Sequence, residues 1–246
     1  MFPIRDHNPS TRIPYVTYAL IAINVAVFLY GLAFITTDAA INRLYYDYAM
    51  IPARIAAGEN YGSFITSVFL HAGFMHIAGN MLFLWIFGDN MEDEMGPVPF
   101  LVFYLICGIG ASWVQMIADP SSPVPTVGAS GAIAGVMGGY LLMFPKAKVD
   151  ILIILIIIFR IIPIPAFVML GLWFGLQLFQ SLGSDTSGGG VAYWAHSGGF
   201  IFGVILTIPL WIKRGATAYW HRTDMHPPHP EATYKYVKSN VPVVRR

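Results

Sequence analysis

Long apolar runs alternate with short polar segments along the chain, and this pattern predicts a bundle of membrane-spanning helices. Residues 15–35 are almost entirely apolar, and about 20 such residues cross the hydrocarbon core of a bilayer as a helix. A signal peptide is the alternative interpretation, but the run is too long for one and further spans follow. The other apolar segments predict helices at residues 75–89, 97–118, 130–144, 164–182 and 194–212. We therefore expect an all-α membrane protein with six transmembrane helices.

Polar segments at the two ends set the expected domain boundaries. Residues 1–13 predict a short cytoplasmic arm, and residues 14–213 predict the six-helix domain. Residues 214–246 predict a polar cytoplasmic tail without a hydrophobic core, which we expect to be disordered. The long first loop at 36–73 is rich in tyrosine and phenylalanine. It is compatible with either a position among the lipid headgroups or a small packed cap.

Prolines and glycines interrupt the second half of the chain. Residues 151–182 are too long for one perpendicular span, and Pro163 and Pro165 split them. We place the fifth helix after this break, and we interpret residues 151–162 as a segment that dips into the membrane before the helix. The glycine-rich residues 183–193 predict a flexible loop.

Composition and charge indicate the surroundings of the chain. Of its 246 residues, 56% are hydrophobic and 11% are charged, whereas soluble domains carry about 25% charged residues. Lipid is therefore the expected solvent, and a net charge of +1 opposes electrostatic binding of nucleic acid. The basic residues that flank predicted helix ends on one side are Arg5, Arg12, Lys146, Lys148, Lys213 and Arg214. The positive-inside rule then places both termini in the cytoplasm. Without an Arg- and Ser-rich transit segment, we expect the cell membrane of a prokaryote.

Three polar side chains fall at a similar predicted depth in the membrane. The fourth helix rises only ~20 Å from Ser130 to its proline-flanked cytoplasmic end, against a hydrocarbon core of ~30 Å, so Ser130 is submerged. The proline-rich loop at 119–127 must dip to meet it. His196 on the sixth helix and His76 on the second lie ~25 Å and ~20 Å from the same side. Ionisable residues inside a membrane are costly, and they indicate a functional site.

Small residues repeat every four positions on two of these helices. Gly131 begins such a stripe on the fourth helix, and Gly199 and Gly203 belong to one on the sixth. Stripes of this kind let helix backbones approach closely. Because Gly199 and Gly203 follow His196 at helical spacing, packing of the sixth helix against the fourth turns His196 towards Ser130.

These residue types predict nucleophilic catalysis. A serine hydroxyl becomes a useful nucleophile only beside a base, and His196 is the candidate base for Ser130. No Asp or Glu is predicted at this depth, so we expect a dyad. Asn80 follows His76 by one helical turn. Both side chains can donate a hydrogen bond to an oxyanion beside the free N–H of Ser130.

Metal binding is the alternative role for the histidines, and the sequence opposes it. His71 and His76 are five residues apart, which is a poor spacing for one helix face, and no nearby carboxylate completes a ligand set. We expect neither a metal nor a cofactor. We interpret His71 as structural or as lining a path for water.

With these residues in place, the chain resembles the rhomboid family of intramembrane serine proteases. Three motifs carry the resemblance: HAGFMHIAGN at residues 71–80, GASG at 128–131 and AHSGGFIFG at 195–203. They occur in the order of the family and on the predicted second, fourth and sixth helices. The resemblance implies a six-helix bundle with a short central fourth helix.

The resemblance also implies a role for each motif. Ser130 would be the nucleophile and His196 the general base, and His76, Asn80 and the N–H of Ser130 would form the oxyanion hole. The glycines expected to shape the site are Gly128, Gly131, Gly199 and Gly203. Family members cleave the transmembrane segments of other membrane proteins, usually near small residues and helix-weakening stretches, and without a cofactor.

Two features depart from the family pattern. Many members carry a Trp-Arg pair in the first loop, whereas residues 32–84 contain no tryptophan. Some members place an aromatic residue beneath the histidine, four positions after the serine, and Ala134 stands there in this chain. The family pattern therefore does not say how His196 is supported.

Two other functions also place polar residues in a membrane. A catalytically inactive rhomboid-like protein would bind membrane clients without cutting them, but such relatives typically lack the serine or the histidine. A solute channel or transporter would also bury polar residues, but the sequence contains no inverted repeat or pair of interrupted helices.

Overall fold

A computed structural model of the chain describes residues 2–155, 158–183, 190–228 and 230–232, and most of them are helical. The helices are α1 (Tyr15–Phe34), α2 (Asp38–Tyr48), α3 (Pro52–Ala56), α4 (Ser63–Thr66), α5 (Phe74–Met95), α6 (Pro97–Ala118), α7 (Ser130–Met143), α8 (Ala166–Gly183), α9 (Tyr193–Arg214) and α10 (Thr217–Thr223). A 3-10 turn covers Ser67–Phe69. The strands are β1 (Phe2–Asp6), β2 (Lys148–Leu155) and β3 (Ile158–Pro165).

Length and composition make the chain a multi-pass membrane protein. Among the described residues, α1, α6, α8 and α9 are long and apolar enough to cross a membrane. The segment Ser63–Phe69 and α5 meet at 97°, and together they form a fifth candidate span. Large apolar side chains face outwards on these helices: Leu29 is 54% exposed and Phe179 is 76% exposed. Such faces are stable against hydrocarbon and costly against water.

The apolar runs locate most of the helices to within a few residues, but the second helix is longer than expected. It continues through the acidic cluster to Met95 instead of ending near Asp89. Glu92 is buried in this last part, and its carboxylate accepts hydrogen bonds from the backbone N–H groups of Val16 and Thr17 at 2.9 and 2.8 Å. The N–H groups in the first turn of a helix lack intrahelical acceptors. The carboxylate of Glu92 is the acceptor for two of these groups at the start of α1.

The structure corrects the expectation of a purely helical chain. The segment 151–162 was expected to dip into the membrane before the fifth helix. Its described residues, 151–155 and 158–162, belong instead to the antiparallel strands β2 and β3, and α8 begins at Ala166. The N-terminal arm adds β1 to the other side of β2. The carboxylate of Asp150 in β2 lies close to two side chains of the arm. Its Oδ2 atom accepts a hydrogen bond from Nε of Arg5 at 2.7 Å, and its Oδ1 atom lies 2.8 Å from Nε2 of His7. The hairpin prolines, Pro163 and Pro165, lie in β3, which is an edge strand of the sheet, and proline is confined to such strands within sheets.

The tail and the first loop also contain ordered elements. Within the tail, which was expected to be disordered, Thr217–Thr223 form α10 with Tyr219 buried, and Asp224 lies 2.6 Å from Lys146. Residues 229 and 233–246 of the tail lie outside the described part of the chain. The first loop folds into the short helices α2, α3 and α4. The glycine-rich loop predicted at 183–193 lies mostly outside the described residues.

Helix α7 packs against α5, α6, α8 and α9, and glycines set its distance from α9. A Cβ atom placed on Gly203 would lie 1.9 Å from the carbonyl oxygen of Gly135, and one on Gly199 would lie 2.0 Å from that of Gly131. These positions cannot hold a larger side chain unless the helices move apart. The 14-residue helix α7 is buried along most of its length, and its first residue, Ser130, is half-buried.

Candidate active site

Ser130 and His196 are hydrogen-bonded to each other across the contact between α7 and α9. The Oγ atom of Ser130 lies 2.8 Å from the Nε2 atom of His196. Ser130 is the first residue of α7 and His196 lies in the first turn of α9. The glycine contacts described above bring these two helix starts together. The arrangement places a potential base within proton-transfer distance of a hydroxyl.

A second hydrogen bond holds the other side of the His196 ring. Its Nδ1 atom lies 2.7 Å from the Oε1 atom of Gln177 on α8. The ring of Trp173, one helical turn earlier on α8, lies over the imidazole with the centroids 5.9 Å apart and the planes inclined by 33°. The sequence analysis singled out neither residue. Gln177 is one of few polar residues in the apolar helix α8, and that was the available signal.

His76 and Asn80 lie on the other side of the serine, on α5. A Cβ atom added to Gly128 would lie 2.7 Å from His76 Nε2 and 3.6 Å from Asn80 Nδ2, so both nitrogens approach the backbone just before Ser130. Gly128 also has a φ of +126°, which L side chains rarely adopt. Close approach and backbone conformation therefore both require glycine at this position.

Both His76 and Asn80 have an N–H group available to donate a hydrogen bond beside Ser130. The backbone N–H of Ala72 donates to Nδ1 of His76 at 3.4 Å, so in the neutral ring the proton is on Nε2, the atom beside Gly128. Asn80 is buried, and its Nδ2 atom has no hydrogen-bond partner among the described residues. Buried amide N–H groups normally find an acceptor. Two donors thus point to the space next to Ser130.

The remaining predicted site residues lie around this centre. His71 is buried, and its ring contacts that of His76 edge to face, with the centroids 5.1 Å apart. A Cβ atom on Gly131 would lie 2.5 Å from the Cβ atom of Ala111. Gly199 and Gly203 lie in the contact of α9 with α7. All four predicted glycines therefore lie where a backbone passes close to another group.

Gln115 was not predicted, and it fixes the start of α9. This buried residue on α6 accepts a hydrogen bond from the backbone N–H of Ala195 at 3.2 Å. Ala195 precedes His196, and its N–H belongs to the first turn, which lacks intrahelical acceptors. Gln115 therefore holds the backbone that carries the histidine.

These side chains line one cavity of about 820 Å³. The residues named above that line it are Ala72, His76, Asn80, Ala111, Gln115, Gly128, Ser130, Gly131, Trp173, Ala195 and His196. The segment at 122–128 forms part of its wall, and Thr126 is bridged to Met50 of the first loop. Within the described residues, no group of three or more His, Cys, Asp or Glu side chains is placed to hold a metal ion. The site therefore combines a hydroxyl, an imidazole base and convergent N–H donors.

Comparison with known proteins places the chain in a family. The rhomboid domain profile matches residues 58–213. Rhomboid protein 1, mitochondrial, of Saccharomyces cerevisiae is 32% identical over 196 residues, which is 76% of this chain and 51% of that protein. Presenilin-associated rhomboid-like protein A, mitochondrial, of Danio rerio is 28% identical over 178 residues, or 68% of this chain and 43% of that protein.

A bacterial relative matches a shorter region. Rhomboid protease GluP of Bacillus subtilis is 41% identical over 87 residues, which is 35% of this chain and 16% of that protein. The chain thus spans at most about half the length of these three relatives. Because the rhomboid profile covers more than half of the chain, the protein belongs to the rhomboid family.

Proposed function

We propose that the protein is an intramembrane serine endopeptidase that cleaves transmembrane segments of other membrane proteins with a Ser130–His196 dyad. The 2.8 Å hydrogen bond between Ser130 Oγ and His196 Nε2, in the wall of a cavity within an apolar bundle, is the observation that carries the proposal. The name of the related GluP protein, a rhomboid protease, supports it. A protein that only binds membrane clients has no need of this hydrogen bond.

In the acylation step, the Ser130 hydroxyl attacks the carbonyl carbon of the scissile peptide bond. Its proton passes along the existing hydrogen bond to His196 Nε2, and the carbonyl oxygen becomes an oxyanion. The donors proposed for this oxyanion are the N–H of Ser130, Nδ2 of Asn80 and Nε2–H of His76. Donors that are already in place when charge develops lower the barrier most.

Breakdown of the tetrahedral intermediate returns the proton. His196 gives it from Nε2 to the leaving amine, the C–N bond breaks, and Ser130 carries the acyl group as an ester. A water molecule then attacks this ester and gives a proton to His196 Nε2. The bond between the acyl carbon and Ser130 Oγ breaks, Nε2 returns the proton to Oγ, and the acyl group leaves as a carboxylic acid. The enzyme is regenerated without a metal or another cofactor in this scheme.

The proposed placement in the membrane has six spans, with α7 as a short central fourth span, and both termini in the cytoplasm. Its support is that charged groups from several helix ends meet on one side. Arg12 before α1 lies 3.8 Å from Asp93 at the end of α5, and Arg214 at the end of α9 lies 2.7 Å from Glu94. Basic residues at this end favour the cytoplasmic side, and the cell membrane is the proposed location.

The test is cleavage in a bilayer. The purified protein and a single-span substrate with a small residue beside a helix-weakening stretch are reconstituted together in liposomes, and the products are followed by mass spectrometry. We expect cleavage by the wild type and none by Ser130→Ala at equal folded protein. Cleavage that persists in Ser130→Ala would show that another group carries the reaction, and the proposal would be wrong.

A further inference from the structure

We propose that Gln177 on α8 is a positioning residue that fixes the tautomer of His196, so that the dyad works as a serine, a histidine and an amide. The inference rests on the function proposed above. It answers the question left by Ala134, which occupies the position where some family members have an aromatic residue beneath the histidine. Ala134 is fully buried and its side chain is too short to cover an imidazole ring.

The chemistry of the glutamine oxygen carries the argument. An amide oxygen only accepts hydrogen bonds, and Gln177 Oε1 lies 2.7 Å from His196 Nδ1. The proton of the neutral ring must therefore be on Nδ1, which leaves a lone pair on Nε2. That is the atom 2.8 Å from Ser130 Oγ. The opposite tautomer would present an N–H to the serine and could not accept its proton.

Gln177 is held against α9 on both sides along the helix. One turn earlier, Phe174 stacks on Phe200 with the ring centroids 4.5 Å apart and an angle of 17°. One turn later, Ser181 lies 3.1 Å from Ser197, Oγ to Oγ. Residues four positions apart share a helix face, so Gln177 lies within a continuous line of contacts with α9. Its amide is therefore presented to the ring in a fixed direction.

Trp173 completes the support from the same helix. Its ring covers the imidazole face at a centroid distance of 5.9 Å and also approaches Phe200 at 6.2 Å. The indole restricts rotation of the His196 ring, and Gln177 selects which nitrogen carries the proton. Trp173 on α8 thus covers the imidazole ring, which the short side chain of Ala134 on α7 cannot do.

The amide also acts when His196 accepts the serine proton. The ring then carries a positive charge and N–H groups on both nitrogens. The Nδ1–H remains bonded to the partially negative oxygen of Gln177, while Nε2–H is the proton that goes to the leaving amine. No atom of Gln177 gains or loses a proton, so its contribution is orientation and stabilisation of the imidazolium.

The first experiment compares Gln177→Met with Gln177→Glu in the liposome cleavage assay. Methionine has a similar length and no comparable acceptor, and loss of one net hydrogen bond predicts a fall in kcat of about two- to tenfold. KM should change little, because Gln177 does not contact substrate in this scheme. Glutamate keeps the acceptor oxygen and should restore kcat. Its charge favours the imidazolium, so the acid limb of the kcat/KM profile should move to higher pH.

Gln180→Met is the matched control. Gln180 lies on the same helix, three residues away, and its side chain is exposed, so kcat and the pH profile should stay at wild-type values. If wild type cleaves through Ser130, and Gln177→Met has the kcat and the acid limb of wild type, the positioning role is refuted. The same holds if all three substitutions lower kcat equally without moving the acid limb.

A second readout needs no catalysis and separates this inference from the proposed function. In Ser130→Ala protein labelled with ¹⁵N-histidine, the His196 signals are identified by their loss in the additional variant His196→Ala. We expect Nδ1 to be the protonated nitrogen, and this preference should disappear when Gln177→Met is added. Protonation on Nε2 in the presence of Gln177 would overturn the inference, even if the wild type proves to be a protease. Conversely, absence of cleavage by the wild type would refute the proposed function and leave the tautomer result standing.

Discussion

Substitution of Gly199 by alanine tests whether the contact between α7 and α9 sets the geometry of the dyad. The Cβ atom that this substitution adds would lie 2.0 Å from the carbonyl oxygen of Gly131, whereas ordinary contacts begin near 3.4 Å. The two backbones must therefore separate by about 1.4 Å at this point. Both are backbone groups of packed helices, so no flexible side chain can absorb the difference. Overpacking of this kind costs about 1–3 kcal/mol of stability.

The same displacement reaches the reacting atoms. Gly131 follows Ser130 directly, and Gly199 lies one turn after His196. A separation of about 1.4 Å would stretch the 2.8 Å bond between Oγ and Nε2 beyond the 3.5 Å hydrogen-bond limit. Misplacement of a catalytic group by about 1 Å can cost about 100-fold in rate. We therefore expect Gly199→Ala to lose about 100-fold in the rate of cleavage while it remains a folded membrane protein.

The assay combines the cleavage rate in liposomes with thermal unfolding in detergent. Gly175→Ala on α8 is the control, because a Cβ atom there would meet no described atom within 4 Å. Its cleavage rate should equal that of the wild type, and its melting temperature should not fall below that of the wild type, because alanine is the better helix former. If Gly199→Ala cleaves at the wild-type rate and melts at the wild-type temperature, then the close approach of α7 and α9 does not hold the dyad, and the reasoning is refuted.

Two further predictions concern the end of the bundle at which α5 ends. Glu92→Ala removes a buried carboxylate that accepts hydrogen bonds from the N–H groups of Val16 and Thr17. The substitution should lower the free energy of unfolding by about 1.5–3 kcal/mol. Denaturation in mixed detergent measures this loss, and an unchanged midpoint would contradict the prediction. Burial, assisted by the charge of Asp89, raises the pKa of Asp6 well above its ordinary value of 3.8. The folded protein therefore favours the neutral form of Asp6. The stability that this form contributes is fully present below pH 3.8 and is lost as the pH rises through the raised pKa of Asp6. Asp6→Asn should flatten that pH dependence in thermal melts, and a slope equal to that of the wild type would contradict the assignment.

The sequence predicts the site better than it predicts the periphery. The start of α7 at Ser130, the place of His196 near the start of α9 and the helical spacing of His76 and Asn80 all follow from helix geometry and from the small-residue stripes. These features depend on local helix geometry, which a sequence expresses directly. The Ser130–His196 hydrogen bond is a consequence of that geometry.

The hairpin of β2 and β3 could not be predicted in the same way. Residues 151–162 contain a nearly continuous run of isoleucine and leucine, and periodicity does not distinguish a buried strand from a helix in such a run. The pairing of β2 with the N-terminal arm is a contact between residues about 145 positions apart. The ordered tail depends on similarly distant contacts, such as Lys146 with Asp224.

The role of Gln177 could not be predicted from the sequence for a different reason. Composition identifies it as a polar residue in an apolar helix, and Gln180 has the same property. Only the rotation of α8 against α9 decides that Gln177 reaches His196 and Gln180 faces outwards. The contacts that accompany this rotation include the stacking of Phe174 on Phe200 and the approach of Ser181 to Ser197, which no spacing rule specifies. A search for ionisable partners alone also passes over an amide.

The most direct test of the central claim is labelling of the purified protein with a fluorophosphonate probe, which forms a covalent bond only with an activated serine. The wild type, Ser130→Ala and His196→Ala are compared at equal amounts of folded protein, and the modified residue is located by mass spectrometry. The account predicts that the wild type is labelled on Ser130 and that both variants stay unlabelled. Labelling of Ser130 that does not depend on His196, or labelling of another residue in its place, would contradict the dyad.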